Sequence, residues 1–240
     1  MKPFLRAILD FLSPPLCHVC RAFIPDAGEL HICPACREQL TPVITPLCSV
    51  CGIPFDGSGQ DHVCGACLTD RPHFDSARAP LLYEGSVRNL IHSFKYDRRT
   101  HLRRPLALLI IEHLGTFLNA GRFDMIIPVP LHRSRLRSRG FNQAILLGSL
   151  LAERLSLPMP VNLLDRIRKT EQQVDLTAAQ RRQNVKGAFA VIVPERVREK
   201  RIILLDDVMT TGSTVDECAL ELKKSGSVGV SVVTIARADR

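Results

Sequence analysis

The chain contains no apolar run long enough to cross a membrane. A membrane-spanning helix requires roughly 18 consecutive apolar residues, and every apolar run in the 240-residue sequence is much shorter. The apolar stretch at residues 4–12 is interrupted by Arg6 and Asp10, and no small-residue cleavage site follows it. We therefore expect an amphipathic N-terminal helix, not an export signal, and a cytoplasmic protein with no membrane span.

Two signatures of nucleotide-binding proteins are also missing. The P-loop pattern G-x-x-x-x-G-K-[ST] does not occur, and neither does the G-x-G-x-x-G fingerprint of a Rossmann fold. The absence of a P-loop excludes a motor that hydrolyses ATP through this loop.

The charge is divided unevenly along the chain. Residues 1–70 carry 4 basic and 7 acidic side chains, a net charge of −3, whereas residues 71–240 carry 28 and 17, a net charge of +11. An anionic partner is therefore expected at the second part. The acidic front part is better suited to scaffolding or protein docking, with single-stranded DNA as a weaker alternative partner.

Eight of the nine cysteines form four C-x-x-C pairs. Twelve residues separate Cys20 from Cys33, and twelve separate Cys51 from Cys64, which indicates an internal repeat. Each C-x-x-C turn points two thiolates at one ion, so two turns complete a tetrahedral zinc site. Disulfides, the alternative, are disfavoured in the cytoplasm. We predict two structural zinc ions bound in chain order, with a crossed pairing left open, by these ligands: Cys17, Cys20, Cys33, Cys36, Cys48, Cys51, Cys64 and Cys67.

The second part is organised around the stretch R-I-I-L-L-D-D-V-M-T-T-G-S-T, which begins at Arg201. Its four consecutive aliphatic residues predict a strand buried on both faces, as in a parallel sheet. Two acids follow, then a loop of hydroxyl residues and a helix, at whose start Ser213 and Asp216 have the spacing of a capping box. Ligands of open α/β sheets bind at loops of this kind, beyond the carboxyl ends of the strands.

The residue types in this loop suit a phosphorylated sugar. Gly212 allows close approach of the backbone, and the amides at the helix start suit a phosphate. Hydroxyl groups add donors, whereas Asp206 and Asp207 should face sugar hydroxyls or a hydrated Mg²⁺. Ribose 5-phosphate has both kinds of group. The predicted binding residues are Asp206, Asp207, Thr210, Thr211, Gly212, Ser213 and Thr214.

The run LLDDVMTTGST resembles the loop that binds phosphoribosyl pyrophosphate in type I phosphoribosyltransferases. This resemblance implies an α/β fold in which helices flank a parallel sheet, preceded here by the small double zinc ribbon. We divide the chain into an amphipathic helix over residues 1–13, the ribbon over 14–70 and the phosphoribosyltransferase-like domain over 71–240.

Elsewhere in this domain, residues 74–84 predict an opening strand or hairpin. Val87, Leu90, Ile91 and Phe94 have helical spacing, and a second helix is expected over residues 102–118. The basic and aromatic segment at residues 94–99 is equally compatible with a solvated helix end and with a ligand contact.

A second strand near residue 125 leads into a basic segment. Residues 125–152 contain four arginines and no acid, which predicts a site for a polyanion beside a helix expected to begin at Phe141. The predicted anion-binding residues are Val129, Pro130, Leu131, His132, Arg133, Arg135, Arg137, Arg139 and Asn142. After a further strand at residues 163–167 comes a polar, glutamine-rich segment, for which a mobile flap and a plain surface excursion both remain open. Its candidate residues are Lys169, Gln172, Gln173, Arg181 and Asn184.

Three longer motifs resemble those of the ComF family, also known as ComFC and GntX. They are D-x-I-I-P-V-P-L-H from Asp124, R-x-R-x-R-G-F-N-Q from Arg135, and Q-x-x-L-T-x-x-x-R-x-x-N-V-x-x-A-F from Gln173. The resemblance implies a role in natural transformation or in the use of external DNA, beside a helicase or another competence protein.

The family also implies a division of labour in the site. Asp206 and Asp207 would hold the ribose hydroxyls, the following loop the 5-phosphate, and residues 129–132 the pyrophosphate with Mg²⁺. The segment from Lys169 to Asn184 would close over the ligand. Two function classes remain: a Mg²⁺-dependent phosphoribosyltransferase with an unidentified acceptor, and a non-catalytic adaptor that binds nucleotide or DNA in a vestigial phosphoribosyl pocket.

Overall fold

The structure is a computed structural model that describes residues 14–25, 28–171 and 177–238 of the chain. The predicted N-terminal helix at residues 1–13 and two flap residues, Gln172 and Gln173, lie outside the described residues. No helix within the described ranges has the length and apolar character needed to span a membrane.

A four-stranded, fully parallel sheet forms the centre of the α/β part. Its strands lie in the order β1-β8-β6-β3, where β1 is Ser76–Arg78, β3 Met125–Pro128, β6 Arg201–Leu205 and β8 Gly229–Val233. The prediction of a doubly buried strand is confirmed, since all residues of β6 after Arg201 are buried.

Helices cover both faces of this sheet. In chain order they are α3 (Gly85–Tyr96), α4 (Arg103–Ala120), α6 (Gln143–Leu155) and α8 (Ser213–Lys224). Ile203 and Leu205 pack with α3, α4 and α6, whereas Ile202 and Leu204 pack with α8. This alternation follows the two-residue period of a strand and explains why the strand is apolar throughout.

Shorter elements complete the α/β part. Strands β2 (Leu81–Leu82), β7 (Val208–Met209) and β9 (Ala236–Arg237) form a small parallel sheet, and β4 (Leu164–Arg166) pairs antiparallel with β5 (Phe189–Val191). The remaining helices are α5 (Arg133–Arg139) and α7 (Ala178–Val185). The alternative of an opening hairpin is wrong, because β1 and β2 join different sheets, each in parallel with a late strand.

The cysteine-rich part contains two short helices, α1 (Pro34–Glu38) and α2 (Gly65–Thr69). Its first half packs on α4 within one hydrophobic cluster, and its second half shares another cluster with the main sheet. The Ala77 N–H of the edge strand β1 donates to the Val50 carbonyl at 2.6 Å. The ribbon therefore covers an edge that would otherwise be open to pairing.

Candidate functional site

The two acids lie where the central strand β6 ends. Its neighbour β3 ends at the same level, because Pro128 is in register with Leu205 and the Val129 N–H donates to the Leu205 carbonyl at 2.8 Å. Parallel pairing thus brings the segment after β3 beside Asp206 and Asp207. The predicted pyrophosphate segment and the predicted sugar-binding acids meet at one edge of the sheet.

Asp207 is held by a lysine that the sequence analysis did not single out. Lys95 Nζ lies 2.8 Å from Asp207 Oδ1, and both side chains are mostly buried, with exposed fractions of 17% and 12%. Burial opposes the charge of Lys95, but the Asp207 carboxylate outweighs this and raises the pKa of Lys95. The signal in the sequence was the position of Lys95 between two aromatic residues at the end of α3.

Asp206 has a different environment. Desolvation and the nearby Asp207 charge raise the pKa of the Asp206 carboxyl to about 7, against opposing effects of the Asp207 N–H, Lys95 and Arg166. The Asp207 N–H donates to Asp206 Oδ1 at 2.8 Å. Near neutral pH the Asp206 carboxyl therefore exchanges its proton readily.

The hydroxyl loop begins after the short strand β7. Gly212 has φ 81° and caps α8, and a Cβ built there would come within 2.9 Å of Met209 Cε, so the turn favours glycine. The hydroxyls of Thr211 and Ser213 lie 2.9 Å apart. The loop therefore clusters hydroxyl groups at the amino end of α8.

The predicted capping box at this helix is wrong. Ser213 is the first helical residue and not the cap, and the capping residue Gly212 has no side chain that could accept a hydrogen bond. The Asp216 carboxylate instead accepts the His73 N–H at 2.6 Å. Gly212 occupies the capping position with a left-handed backbone. Ser213 and Asp216 therefore do not cap the helix, and Asp216 binds the backbone of His73 instead.

Asn142 connects the segment after β3 to the following helix. Its side-chain amide donates to the Val129 carbonyl at 3.0 Å, and its oxygen accepts the Ala144 N–H and caps α6. The helix expected from Phe141 thus begins at Gln143. Pro130, Leu131 and His132 are partly exposed, and His132 caps α5 by accepting the Ser134 N–H.

The arginine-rich segment forms the helix α5, with two distinct faces. Arg135 and Arg139 are partly buried, whereas Arg133 and Arg137 are exposed. Arg135 donates to the Glu171 carbonyl at 3.0 Å, at the start of the candidate flap. Burial and repulsion from Arg139 lower the pKa of Arg135, so two guanidinium groups of this helix lie close together.

A further arginine that the site prediction did not include is Arg166, which is 4% exposed. It contacts the Thr170 hydroxyl at 2.5 Å and lies over the Phe189 ring at 5.2 Å, and its Nε has no hydrogen-bond partner among the described residues. Desolvation and the Arg135 charge lower the pKa of Arg166, while Asp206 opposes them. Its place at the end of a predicted strand was the available signal.

The described part of the flap contacts the hydroxyl loop. Arg181 Nη1 lies 3.3 Å from Thr210 Oγ1. Asn184 and Glu171 exchange hydrogen bonds across the segment between them, at 3.0 and 3.1 Å. Lys169 is exposed. The two ends of the flap are thus tied together next to the acids and arginines.

The eight predicted cysteine ligands form two separate groups in chain order. In each group all sulfur atoms lie within 4.8 Å of one another. The Sγ atoms of Cys20 and Cys33 are 3.7 Å apart, and those of Cys51 and Cys64 are 3.8 Å apart. Tetrahedral zinc with bonds of about 2.3 Å places its sulfurs about 3.8 Å apart, whereas a disulfide needs about 2.05 Å. The residues therefore fit two zinc ions, and the crossed pairing is wrong.

The internal repeat is also visible in the backbone. The Cys33 N–H donates to Cys17 Sγ at 3.4 Å, and the Cys64 N–H donates to Cys48 Sγ at 3.3 Å, so equivalent thiolates receive equivalent donors. The sites differ in exposure, because Cys20 is exposed and all four ligands of the second group are buried. The partly buried Arg78 and the buried Arg237 donate to the carbonyls of Ser49 and Cys51, respectively, beside the second group.

Comparisons with known proteins give related sequences. Residues 8–68 match the double zinc ribbon domain. The chain is 37% identical to competence protein F of Haemophilus influenzae over 153 residues, which span 62% of this chain and 67% of that protein. It is 36% identical to the DNA utilization protein YhgH of Escherichia coli (strain K12) over 158 residues, which span 65% and 69%. Competence protein ComFC of Streptococcus pneumoniae is 24% identical over 163 residues, 68% of each chain.

Solved structures with a similar fold are phosphoribosyltransferases and related enzymes. The glutamine phosphoribosylpyrophosphate amidotransferase from B. subtilis has a TM-score of 0.38 and 19% identity, over 60% of this chain and 30% of that one. Purine phosphoribosyltransferase from Pyrococcus horikoshii has a TM-score of 0.35 and 18% identity, over 61% and 85%. At TM-scores this low, the likeness carries no functional argument.

Proposed function

Because the chain belongs to the ComF family, with competence protein F and the DNA utilization protein YhgH as relatives, we propose that it is a DNA-uptake protein whose α/β domain binds phosphoribosyl pyrophosphate with Mg²⁺. It would act in natural transformation or in the use of external DNA, beside a DNA-translocating helicase or another competence protein. Zinc-binding thiolates favour a reducing compartment, so we place it in the cytoplasm.

One observation carries the ligand assignment. The two acids and the hydroxyl loop follow the same central strand, and Arg166 lies close enough to both Asp206 and Arg135 of α5 for each to affect its pKa. The loop offers donors to the 5-phosphate, and the acids accept the ribose hydroxyls. Arg135 and Arg166 offer positive charge to the pyrophosphate. This distribution matches a ligand with phosphate at both ends of a ribose.

The same groups suit displacement at the anomeric carbon. The bond from that carbon to the pyrophosphate oxygen breaks as the bond to the acceptor forms, and the bonding electrons leave with the pyrophosphate. Mg²⁺ bound with the ligand would neutralise part of this charge, held near Asp206 and Asp207. The chain itself would stabilise the leaving group through Arg135 and Arg166, and closure of the flap would exclude water.

Pyrophosphate release from phosphoribosyl pyrophosphate tests whether the protein turns over. With Mg²⁺ and a panel of bases, amines and other acceptors, an enzyme releases pyrophosphate with at least one of them, and Asp206→Ala with Asp207→Ala abolishes this. Measurable ligand binding without release from any acceptor would contradict the enzyme and support a non-catalytic adaptor.

The outer face of α5 favours a second role, the binding of single-stranded DNA. Arg133 and Arg137 are exposed there, about half a turn away from the partly buried Arg135 and Arg139. DNA affinity should fall with salt. The double variant Arg133→Gln with Arg137→Gln should reduce the slope of log affinity against log salt concentration by about two. An unchanged salt slope in this variant would contradict the DNA-binding face.

A further inference from the structure

The segment that ends α3 places three consecutive side chains in three different surroundings. Phe94 is buried and its ring lies 5.9 Å from that of Phe141. Lys95 reaches Asp207, and Tyr96 is 59% exposed. Because successive helical residues point about 100° apart, the core contact of Phe94 fixes the directions of the other two. Tyr96 is therefore held at the rim of the candidate site.

Two further planar groups meet the Tyr96 ring. The Arg139 guanidinium carbon lies 5.0 Å from the ring centroid, and the His92 ring lies 4.7 Å away at an interplanar angle of 43°. Arg139 belongs to α5, whereas His92 lies one turn before Tyr96 on the same helix, so α5 and α3 meet at this exposed aromatic side chain. A single exposed tyrosine is ordinary, but one packed by a cation and a second ring is an organised surface.

We propose that Tyr96, with Arg139 and His92, forms a ring platform on which the base of a nucleotide stacks. This inference rests on the proposed function, since it assigns the position of the base relative to the sugar phosphate. A nucleotide whose ribose hydroxyls face Asp207 has Lys95 beside its sugar, and the next residue along the helix is Tyr96. Arginine and tyrosine faces are the groups on which bases stack in nucleic-acid-binding proteins.

The charges around the platform suit such a ligand. Arg139 lies close enough to Arg135 to add to the lowering of the Arg135 pKa by burial, and Tyr96 is also close to Arg135. A nucleotide brings phosphate to these arginines and a neutral aromatic ring to the tyrosine. The base can come from a small nucleotide seated in the pocket or from a single strand that passes over it.

The tyrosine content of the chain permits a direct test. Tyr83 and Tyr96 are the only two tyrosines, and tryptophan is absent. Protein labelled with fluorotyrosine gives one fluorine resonance for each of the two tyrosines. The variant Tyr83→Phe keeps only the Tyr96 resonance and so assigns it. The probes are ribose 5-phosphate, adenosine 5′-monophosphate and a short single-stranded oligodeoxyadenylate, each with Mg²⁺.

We expect adenosine 5′-monophosphate to shift the Tyr96 resonance more than ribose 5-phosphate does, and to bind more tightly. Tyr96→Ala should lower its affinity roughly 5- to 150-fold, while Tyr96→Phe, which keeps the ring, should not. Ribose 5-phosphate should bind all three proteins alike. Equal affinity of wild type and Tyr96→Ala for adenosine 5′-monophosphate would overturn the platform.

The remaining arms separate the sources of the base and the two proposals. The double variant Asp206→Ala with Asp207→Ala separates the sources. If adenosine 5′-monophosphate no longer shifts its Tyr96 resonance but the oligonucleotide still does, the base comes from a strand. If neither ligand shifts the resonance, the base comes from a nucleotide in the pocket. Failure of ribose 5-phosphate to bind would contradict the proposed sugar-phosphate pocket but not the platform. The platform is then overturned only if the oligonucleotide also leaves the Tyr96 resonance unchanged.

Discussion

Lys95 acts on both members of the acidic pair. It forms a mostly buried ion pair with Asp207, and its charge opposes the desolvation and the Asp207 repulsion that raise the pKa of Asp206. The sequence places Lys95 far from the acids, on another element, so only the packing of α3 against the end of β6 brings them together. Local patterns could not predict this contact, although both acids were predicted.

Replacement of this lysine should be costly. Lys95→Met leaves a buried carboxylate next to another acid, and removal of one partner of such a pair destabilises a protein by about 3 kcal/mol or more. Denaturant unfolding measures this. Lys200→Met is the matched control, because Lys200 and Asp124 are 3.9 Å apart and about 40% exposed, so a loss within about 1 kcal/mol is expected. Equal losses in the two variants would contradict a structural charge at Lys95.

Asp206 should make ligand binding depend on pH. Its carboxyl accepts ribose hydroxyls or attracts Mg²⁺ best when ionised, and its pKa is about 7. We expect the affinity for phosphoribosyl pyrophosphate with Mg²⁺ to rise between about pH 6 and 8, with proton release near pH 7. Calorimetry in buffers of different ionisation enthalpy measures the protons released. Asp206→Asn should remove this release, and a wild-type affinity that is flat in this range would contradict the assignment.

The raised pKa of Asp206 should make the stability of the protein fall as the pH rises, whereas ligand affinity should increase. The folded state binds the Asp206 proton more tightly than the unfolded chain does, because the pKa is raised from 3.8 to about 7. The contribution of this group to the free energy of unfolding is therefore present below pH 4 and is lost as the pH rises toward 7. Asp206→Asn should be more stable than the wild type at pH 8, as measured by denaturant unfolding.

The hydroxyl loop depends on one backbone conformation. Gly212→Ala forces a side chain into φ 81° and against Met209, which should cost about 1–3 kcal/mol and displace the amides expected to bind phosphate. Gly57→Ala is the control, because Gly57 has φ 89° and no atom of the described residues would lie within 4 Å of an added Cβ. Calorimetric titration should show ligand affinity lost in Gly212→Ala and kept in Gly57→Ala. Equal affinities would contradict the role of the loop.

Elements with strong local signals were predictable from the sequence. The aliphatic runs of β3 and β6 and the helical spacing on α3 and α4 correspond to observed elements. The helix α5 was not predicted, since arginines at every second position give no helical stripe. The small sheet of β2, β9 and β7 also escaped prediction, because each strand has two residues and is defined by distant partners.

At the scale of the whole molecule, the zinc ribbon and the α/β part share their cores. Cys48, Val50 and Cys51 pack in the same cluster as Ile202 and Leu204 of the central strand. Arg78 and the buried Arg237 join the two parts beside the second thiolate group. The equal spacing of the cysteines predicted the two metal sites, but not that the second lies against the sheet that holds the acids.

The two zinc sites should therefore differ in their importance for the fold. Cys51→Ser removes a buried ligand next to Arg237 and should unfold much of the sheet, whereas Cys20→Ser removes an exposed ligand of the first group. Zinc content should fall from two to about one ion in both variants. Hydrogen exchange of the strands should rise in Cys51→Ser more than in Cys20→Ser. The reverse order would contradict a shared core at the second site.

The central claim is that the acids and the hydroxyl loop bind one phosphorylated ribose from two sides. Calorimetric titration of phosphoribosyl pyrophosphate with Mg²⁺ into the intact protein tests it most directly. We predict saturable binding to one site per chain, abolished in a folded variant that carries Asp206→Ala and Asp207→Ala. An absence of binding heat in the wild type, or equal binding by the double variant, would contradict the claim.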